Sequence, residues 1–468
     1  MDKLSAIDTS FLYAETARLP MHVAALQIYD PVTAPEGRVA IADIVLNVRR
    51  RAHRIDCFHR KLLETPWNLD RPHWINDRDF DPSQHVSSVL LPRPGGWPEL
   101  CEAVTRVAAQ PLRRDRPLWE MHLITGLGEI DNFPRGAFAI LTKIHHAAVD
   151  GVAGIAVTLA LHDLEPNTAD EPIPDMEAER VPGPTDLVAQ ALAQEWLRPA
   201  QLCLAWPEMA RMTADSMAAR PFKPPPPTRF NRRVSGRRLF DAIRIPLDEL
   251  HACRALADGA TVNDVVLAVV GGAMRRYLEF YEALPSRPLT AMIPISTRQD
   301  ISPKRAGNQI SQMIVGLGTD TRNAVDRLRA IHESSVKAKA AARSADAASL
   351  DEVAAFWPAP WLAFAARNWS QSPGNTVANT VITNVKGPPM PFYMCGAKLV
   401  KAYGMGPLAD GWGTFHTALS YCGELTLSVL ACAKLVPDIE FYTECLRAAY
   451  AELSAAAQQA KAPDVAAP

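Results

Sequence analysis

Apolar and polar residues follow two different periods along this chain, and together these predict a mixture of strands and helices. Short apolar runs between polar turns are typical of strands, and they lie at Val23–Tyr29, Gly136–Ile144, Leu289–Ser296, Gln309–Leu317, Val377–Val385 and Leu425–Ala431. Apolar residues repeat with the spacing of one helix face over Gly151–Leu161, Leu187–Met217, Leu247–Leu256 and Thr261–Tyr281. Both kinds of element occur in each half of the chain, which indicates an α/β fold.

The middle of the chain has the composition of a connection between two such halves. Residues Pro166–Pro184 are rich in Pro, Glu and Asp, and Pro221–Pro227 (PFKPPPP) is too dense in proline for a helix or a central strand. We therefore expect a first lobe over residues 1–165, a proline-rich and helical linker over residues 166–236, and a second lobe over residues 237–468.

Composition narrows the class of protein. The 468 residues include 49 Lys and Arg against 51 Asp and Glu, so the near-neutral charge favours no nucleic-acid partner. No two of the 8 cysteines have the CxxC spacing of a zinc or redox motif, and the first residues lack the basic and apolar parts of a secretion signal. These features predict a cytoplasmic protein with free thiols.

No apolar run approaches the length of a membrane-spanning helix. The nearest candidate, Val353–Ala366, is short and is interrupted by Pro358 and Pro360. It fits either a buried pair of helices, which is the interpretation we prefer, or a segment that lies on a membrane surface.

The strongest candidate for chemistry is the heptapeptide His145–Gly151, HHAAVDG, which has the form HHxxxDG. It follows the Gly136–Ile144 strand, and open α/β folds place reactive groups at such strand ends. If the strand continues through the pair, the two imidazoles point to opposite faces and are poorly placed to bind one metal ion. We therefore expect no metal, one histidine that acts as a general base, and one that orients the loop.

The last two positions of the motif, Asp150 and Gly151, begin the following helix in this interpretation. Asp150 can stabilise the helix start, or it can form an ion pair with an arginine elsewhere and so hold the loop in shape. Neither interpretation requires Asp150 to contact substrate. The simplest alternative for the whole motif is a chance pair of histidines on a turn.

HHAAVDG resembles the active-site motif of the acyl-CoA-dependent acyltransferases, which include chloramphenicol acetyltransferase and peptide-synthetase condensation domains. Further segments match in order, and they are Ile7–Tyr29, Pro117–Leu127, Thr261–Leu278, Ile293–Arg298, Gly307–Gln309 and Thr383–Pro388. Together they resemble the bacterial wax ester synthase/diacylglycerol acyltransferase family over nearly the whole chain.

This resemblance implies two chloramphenicol-acetyltransferase-like α/β domains with a crossover segment and an interdomain tunnel. It also implies that His146 deprotonates an acceptor hydroxyl, which then attacks the thioester of a long-chain acyl-CoA. The expected product is triacylglycerol from diacylglycerol, with wax ester from fatty alcohol as a further product. Acyl-CoA is a co-substrate, and no cofactor is expected. The chain has no GxSxG elbow, which agrees with direct transfer without an acyl-enzyme.

Residues outside the motif also match the family. Asn263 belongs to the family's Asn-Asp pair, while Asp264 fits a capping box with Thr261. Arg298 is our candidate partner for Asp150, with a surface arginine at a strand end as the alternative. Asn384, at the end of an apolar strand, is a candidate donor to the oxyanion of the tetrahedral intermediate.

Two further sets of residues have equally good structural explanations. Arg237 and Arg238 belong to a basic cluster that can contact CoA phosphates or can face solvent from the linker. Pro117-Leu118-Trp119 matches a family motif, and a turn anchored by a buried tryptophan explains it better than substrate contact.

Some positions depart from the family pattern. Lys386 replaces a proline, His416 stands where asparagine is commoner, and Cys432 stands where we expect an acidic residue. These departures leave the acceptor open. Two rival functions therefore remain, an acyltransferase that esterifies a polyketide or glycolipid hydroxyl and a catalytically idle lipid-binding protein.

Because both expected acceptors dissolve in membranes, we expect peripheral association with the inner membrane or with lipid droplets. Val353–Ala366 and Leu187–Met217 are the candidate contact segments.

Overall fold

The computed structural model describes residues 1–149, 153–167, 172–173, 179, 181–193, 224–296, 310–344 and 357–461. The strands of the first half are β1 (Asp2–Lys3), β2 (His22–Asp30), β3 (Arg60–Leu63), β4 (His73–Asn76), β5 (Val86–Leu90), β6 (Trp119–Thr125) and β7 (Phe138–His145). Its helices are α1 (Ala6–Ala14), α2 (Ile41–Arg51), α3 (Asp56–His59), α4 (Trp97–Ala108) and α5 (Ala153–Leu161). Residues 184–193 are also helical.

The second half has the same mixed character. Its strands are β8 (Arg238–Pro246), β9 (Thr290–Ser296), β10 (Ile310–Gly316), β11 (Thr380–Lys386), β12 (Tyr393–Met394), β13 (Ala397–Met405), β14 (Thr414–Tyr421) and β15 (Glu424–Cys432). Its helices are α6 (Leu247–Arg254), α7 (Val262–Phe280), α8 (Ala324–Ser344), α9 (Ala359–Ser370) and α10 (Ile439–Lys461).

The first large sheet has the order β12-β13-β2-β7-β6-β5. Its central strand, β7, pairs antiparallel with β2 on one side and with β6 on the other. Every residue of β7 is buried, which agrees with its mainly apolar sequence, although Thr142, Lys143 and His145 are buried as well. A separate small sheet has the order β1-β4-β3.

The division of the chain into successive lobes is not clean, because β12 and β13 come from the second half. Strand β13 pairs antiparallel with β2, so that Tyr403 lies opposite Leu26. Residues 393–405 therefore belong to the first sheet, although the linear boundary at residue 237 assigned them to the second lobe. A boundary drawn from composition follows the chain and does not detect a strand that is exchanged between sheets.

The second large sheet has the order β10-β9-β11-β14-β15-β8, and β11 runs parallel to both of its neighbours. Helix α7 supplies much of the core of this lobe, since the run Val265–Ala268 is fully buried. The two sheets meet along β13. There the hydroxyls of Thr426 and Ser428 donate to the carbonyl oxygens of Ala402 and Gly404, at 2.7 and 2.6 Å.

An ion pair also joins the two halves. Arg18, between α1 and β2, donates from both terminal nitrogens to the Asp410 carboxylate, at 2.6 and 2.9 Å. The Val234 N–H donates to the same carboxylate at 2.8 Å. Since the Asp410 carboxylate is fully buried, we expect these bonds to be among the stronger polar contacts between the halves.

Most of the elements predicted from apolar periodicity are confirmed. Strands β2, β7, β9, β10, β11 and β15 overlap the six predicted strands, and helices α5, α6 and α7 overlap three of the predicted helices. The fourth predicted helix, Leu187–Met217, is helical over its first residues, and the part beyond residue 193 lies outside the described residues.

The interpretation of Val353–Ala366 as a buried helix pair is only partly right. Residues 353–356 lie outside the described ones, and helix α9 begins directly after Pro358. Its small residues are buried, but Trp361 and Phe364 are exposed. No helix among the described residues has both the length and the apolar character needed to cross a bilayer.

Candidate functional site

The HHAAVDG segment begins at the last residue of β7. The strand ends at His145, so His146 lies in the turn that follows and does not continue a face of the sheet. The His146 N–H nevertheless donates to the carbonyl oxygen of Met21, the residue that precedes β2, at 2.8 Å. The backbone of the turn is thus fixed by the neighbouring strand.

His145 points into the protein and is 1% exposed. Its Nδ1 accepts a hydrogen bond from the Ala147 N–H at 3.0 Å, and its backbone N–H donates to the Leu118 carbonyl oxygen at 2.9 Å. Its Nε2 lies 3.6 Å from the Glu15 carboxylate. These contacts are those of a residue that shapes the loop.

Glu15 follows directly after α1 and connects several parts of the site. Its carboxylate accepts from the Met21 N–H at 3.1 Å and from the Arg114 guanidinium at 3.0 Å. Burial by itself raises the pKa of Glu15, but the contacts with His145, the Met21 N–H and Arg114 outweigh it and lower the pKa to about 2. Glu15 is therefore a buried carboxylate that stays charged.

His146 is only partly buried, in contrast to its neighbour. Its ring stacks on the Phe11 ring of α1, with centroids 4.0 Å apart and planes inclined by 15°. The backbone bond to Met21 and the stacked ring fix the imidazole in position and in orientation. Of the two histidines, His146 is the one with a surface that a substrate can reach.

Three of the predicted site residues cannot be located. Asp150, Gly151 and Arg298 lie outside the described residues. The proposed ion pair between Asp150 and Arg298 therefore stays a prediction.

The Asn-Asp pair divides into two roles. Asp264 closes the predicted capping box, since the Thr261 side chain accepts from the Asp264 N–H and the Asp264 carboxylate accepts from the Thr261 N–H, at 3.2 and 2.9 Å. His332 lies 3.1 Å from the same carboxylate. Burial raises the pKa of Asp264, but the polar contacts with Ser335, Thr261 and His332 outweigh this effect, so the net shift is downward.

Asn263 and Asn384 meet at the surface. The Asn384 side-chain amide lies 3.4 Å from the Asn263 side-chain oxygen, toward which it donates. The two residues come from the start of α7 and from β11, far apart in the chain. The Asn384 amide is exposed, and its role as oxyanion donor stays a prediction.

The two arginines nominated for CoA have different surroundings. Arg238 is buried, and its guanidinium donates to the carbonyl oxygens of Ser235 and Arg18, the latter at 2.8 Å. Burial lowers its pKa to about 10. These contacts give Arg238 a structural role, whereas Arg237 is exposed and accessible to an anion.

Trp119 is buried in the first lobe, as expected for a structural tryptophan. Its indole N–H donates to the Phe58 carbonyl oxygen at 3.0 Å, and its ring stacks on His85 with centroids 4.3 Å apart. The preceding Leu118 provides the carbonyl oxygen that binds the His145 N–H. The Pro-Leu-Trp segment thus fixes the backbone at the start of the histidine loop through this hydrogen bond.

Sequence reasoning missed Phe11 and Glu15, although both lie in the segment Ile7–Tyr29 that matches the family. Neither belongs to a motif with a recognisable chemical spacing, so no local signal assigns them to the site. No group of three or more His, Cys, Asp or Glu side chains suited to a metal ion occurs among the described residues.

The matches to known families cover both halves of the chain. Residues 4–266 match the wax ester synthase/diacylglycerol acyltransferase catalytic domain, and residues 306–454 match the WS/DGAT C-terminal domain. A Mycobacterium tuberculosis (strain H37Rv) protein, provisionally named a diacylglycerol O-acyltransferase, is 32% identical over 476 residues, which cover 98% of this chain and 97% of that protein.

Solved structures agree with these matches. The wax ester synthase/diacylglycerol acyltransferase from Marinobacter aquaeolei VT8 is 28% identical, with a TM-score of 0.71 over 98% of this chain and 100% of that one. A starter condensation domain of rhizomide synthetase, solved with C8-CoA and Leu-SNAC, is 13% identical with a TM-score of 0.57, over 98% and 94% of the two chains, and shares the fold. The chain described here belongs to the wax ester synthase/diacylglycerol acyltransferase family and has the two-domain acyltransferase fold.

Proposed function

We propose that the protein transfers a long-chain acyl group from acyl-CoA to the free hydroxyl of diacylglycerol, with His146 as the general base. Fatty alcohol is a further acceptor in this proposal. The names of the relatives support the choice of substrates, since they refer to diacylglycerol acyltransferases and wax ester synthases. The condensation domain of the same fold was solved with C8-CoA, which supports an acyl thioester as donor.

The observation that carries the proposal is the difference between the two histidines. His145 is buried, and its Nδ1 is occupied by the Ala147 N–H. His146 is partly exposed, and its ring is held by Phe11 in a turn whose backbone is bonded to Met21. A positioned imidazole with an accessible edge meets the requirements of a general base near neutral pH.

We propose the following steps for the reaction. The acceptor hydroxyl gives its proton to the His146 imidazole as its oxygen bonds to the thioester carbonyl carbon. The tetrahedral intermediate carries an oxyanion, and we assign the Asn384 amide, steadied by Asn263, as one donor to it. The intermediate collapses as the carbon–sulfur bond breaks, and the CoA thiolate takes the proton from the imidazolium. In this proposal Arg237 is available to a CoA phosphate.

The test measures the release of CoA thiol from palmitoyl-CoA in the presence of dipalmitoylglycerol or hexadecanol. His146→Ala should lower turnover by roughly 10²–10⁴-fold, as expected for the loss of a general base. His251→Ala, which changes an exposed histidine of α6, is the matched control and should leave turnover unchanged. Circular dichroism checks that both variants fold.

Each other outcome counts against a stated part of the proposal. Acceptor-dependent release that survives His146→Ala contradicts the role of His146. Release that occurs only when the acceptor is a polyketide or glycolipid hydroxyl contradicts diacylglycerol and fatty alcohol as acceptors. It supports the related acyltransferase. Binding of lipid without any release supports the idle lipid-binding protein.

Both acceptors dissolve in membranes, so we also propose that the protein works at the inner membrane or at the surface of lipid droplets.

A further inference from the structure

Helix α9 has two faces of opposite character. The residues that face the protein are mostly small, and they are Ala359, Leu362, Ala363, Ala366 and Ser370. The opposite face carries Trp361 and Phe364, which are both 63% exposed and contact each other edge to face, with centroids 6.4 Å apart. Large aromatic side chains on the exposed face of a helix require an explanation, because water does not stabilise them there.

A third exposed aromatic residue comes from a different part of the chain. Trp67 is 81% exposed, the highest exposure among the large apolar residues described. It lies in a turn in which Trp67 and Asn68 both adopt left-handed backbone conformations, with φ of 55° and 53°. Because this conformation is unfavourable for tryptophan, although asparagine tolerates it, the fold maintains a strained residue while it presents an indole to solvent.

Trp67 and α9 enclose a groove of about 460 Å³, which is within the usual range for a ligand site. Its lining residues are Trp67, Asn68, Pro360, Ala363, Phe364, Arg367, Asn368 and Gln371. The lining thus combines aromatic rings with three side-chain amides and one guanidinium. No described residue that lines the groove carries a carboxylate.

Arg367 gives the groove its positive charge. Its Nε donates to the Tyr13 carbonyl oxygen at 3.4 Å, which fixes the base of the guanidinium. Its terminal nitrogens make no hydrogen bond with any other described residue, so they are available to an anion in the groove. A guanidinium beside exposed indoles matches the headgroup layer of a membrane, where phosphates and glycerol groups adjoin the acyl chains.

We propose that the surface formed by Trp67, Trp361, Phe364 and Arg367 binds the headgroup region of an anionic phospholipid bilayer. The aromatic rings enter the interface, and Arg367 contacts a lipid phosphate. This proposal rests on the peripheral association proposed above, from which it takes the membrane as the partner. It adds the surface that makes the contact.

The location of the surface relates it to the candidate active site. Helix α9 packs on α1, and the Ser370 hydroxyl donates to the Ala14 carbonyl oxygen at 3.2 Å. Helix α1 also carries Phe11, on which His146 stacks. A bilayer bound at α9 is therefore separated from the histidine loop by one helix, which is a suitable arrangement for an acceptor that is dissolved in the membrane.

The test is flotation of the full chain with vesicles of phosphatidylcholine alone or of phosphatidylcholine and phosphatidylglycerol in equal parts. The double variant Trp361→Ser/Phe364→Ser should reduce the partition coefficient about tenfold or more for each aromatic side chain removed. Arg367→Glu should reduce binding roughly fivefold or more on the anionic vesicles and much less on the neutral ones. Phe280→Ser removes an equally exposed aromatic residue from α7 and should bind as the unmodified chain does.

Three results would overturn the proposal: no binding of the unmodified chain to anionic vesicles, unchanged binding of the double variant, or an equal loss in Phe280→Ser. Turnover of dissolved butyryl-CoA and butanol shows that the double variant is folded and should equal that of the unmodified chain. Flotation does not require catalysis. A chain that floats but releases no CoA therefore contradicts the proposed function and supports this surface. A chain that releases CoA but does not float supports the proposed function and contradicts this surface.

Discussion

Glu15→Gln tests whether a buried carboxylate holds the histidine loop in place. The pKa of Glu15 is lowered from 4.5 to about 2, which corresponds to a stabilisation of about 3 kcal/mol when the carboxylate is charged. The glutamine oxygen can still accept from the Met21 N–H, but it offers no negative charge to His145 or to Arg114. We therefore expect the free energy of unfolding at pH 7 to fall by about 3 kcal/mol.

The pH dependence of this loss identifies its cause. Because the folded-state pKa is depressed, the stabilisation is complete above the unfolded value near 4.5 and declines as the pH falls toward 2. The difference between the unmodified chain and the variant should therefore shrink to less than half by about pH 3. Urea titrations across this range provide the measurement.

Glu64→Gln is the matched control, because Glu64 also approaches Arg114, at 3.5 Å. Its side chain is 49% exposed, so its removal should cost about 0.5 kcal/mol or less. Equal effects of the two substitutions, or a loss in Glu15→Gln that is the same at both ends of the pH range, would refute the reasoning.

The same variant should also affect turnover. The Met21 N–H bonds to Glu15, and the Met21 carbonyl oxygen bonds to the His146 N–H, so a shift of the carboxylate moves the imidazole. Misplacement of a catalytic group by about 1 Å can cost about 10²-fold. We expect kcat to decrease by up to about 10²-fold, with little change in the KM for acyl-CoA. A proportional change in KM instead would contradict a positioning role.

Three further predictions concern a stacked ring, a buried cysteine and three buried histidines. Phe11→Leu, which keeps an apolar residue but removes the stacked ring, should lower kcat about tenfold with a similar KM. Phe11→Tyr, which keeps an aromatic ring at this position, should retain the kcat of the unmodified chain. Cys432→Asp should raise the free energy of unfolding by about 1–2 kcal/mol relative to Cys432→Asn, because the buried cysteine accepts from the Ser235 N–H and lies near Arg18 and Arg238. The free energy of unfolding should fall as the pH drops below about 6.5, because burial lowers the folded-state pKa values of three histidines and the unfolded chain therefore binds more protons. Each of these histidines should lower the free energy of unfolding by about 1.4 kcal/mol per pH unit, down to about pH 4. These histidines are His22, His162 and His416.

The elements that apolar periodicity predicts are those whose buried residues are mainly apolar, and helix α7, with its buried run Val265–Ala268, is the clearest case. Strand β14 escaped prediction, although it lies in the centre of the second sheet. Its buried residues include Thr414 and His416, which bond to the Thr380 hydroxyl at 2.9 and 3.1 Å, and His416 also bonds to Tyr442 at 2.8 Å. A pattern that counts polar residues as exposed cannot predict a strand whose polar side chains bond to one another inside the protein.

The candidate site was predictable to the extent that its residues are close in the sequence. The two histidines and the capping box of α7 are local motifs, and both lie where the sequence indicated. Phe11 and Glu15 reach the histidines because His145 pairs with His22 across β7 and β2, which brings Met21 beside His146. The pattern of apolar and polar residues in a single sequence does not specify which residues of the two strands lie opposite each other, so this register could not be predicted.

The exchange of β13 makes the second half of the chain part of this arrangement. Strand β2 lies between β13 and β7, so its position depends on both neighbours. The pairing of β13 with β2 shifts between Leu399 and Lys401, and beyond this shift Met405 lies opposite Ala24. Since Met21 directly precedes β2 and binds the His146 N–H, the register set by β13 is transmitted to the histidine loop. The geometry of the candidate site is therefore fixed by both halves, even though both histidines lie in the first.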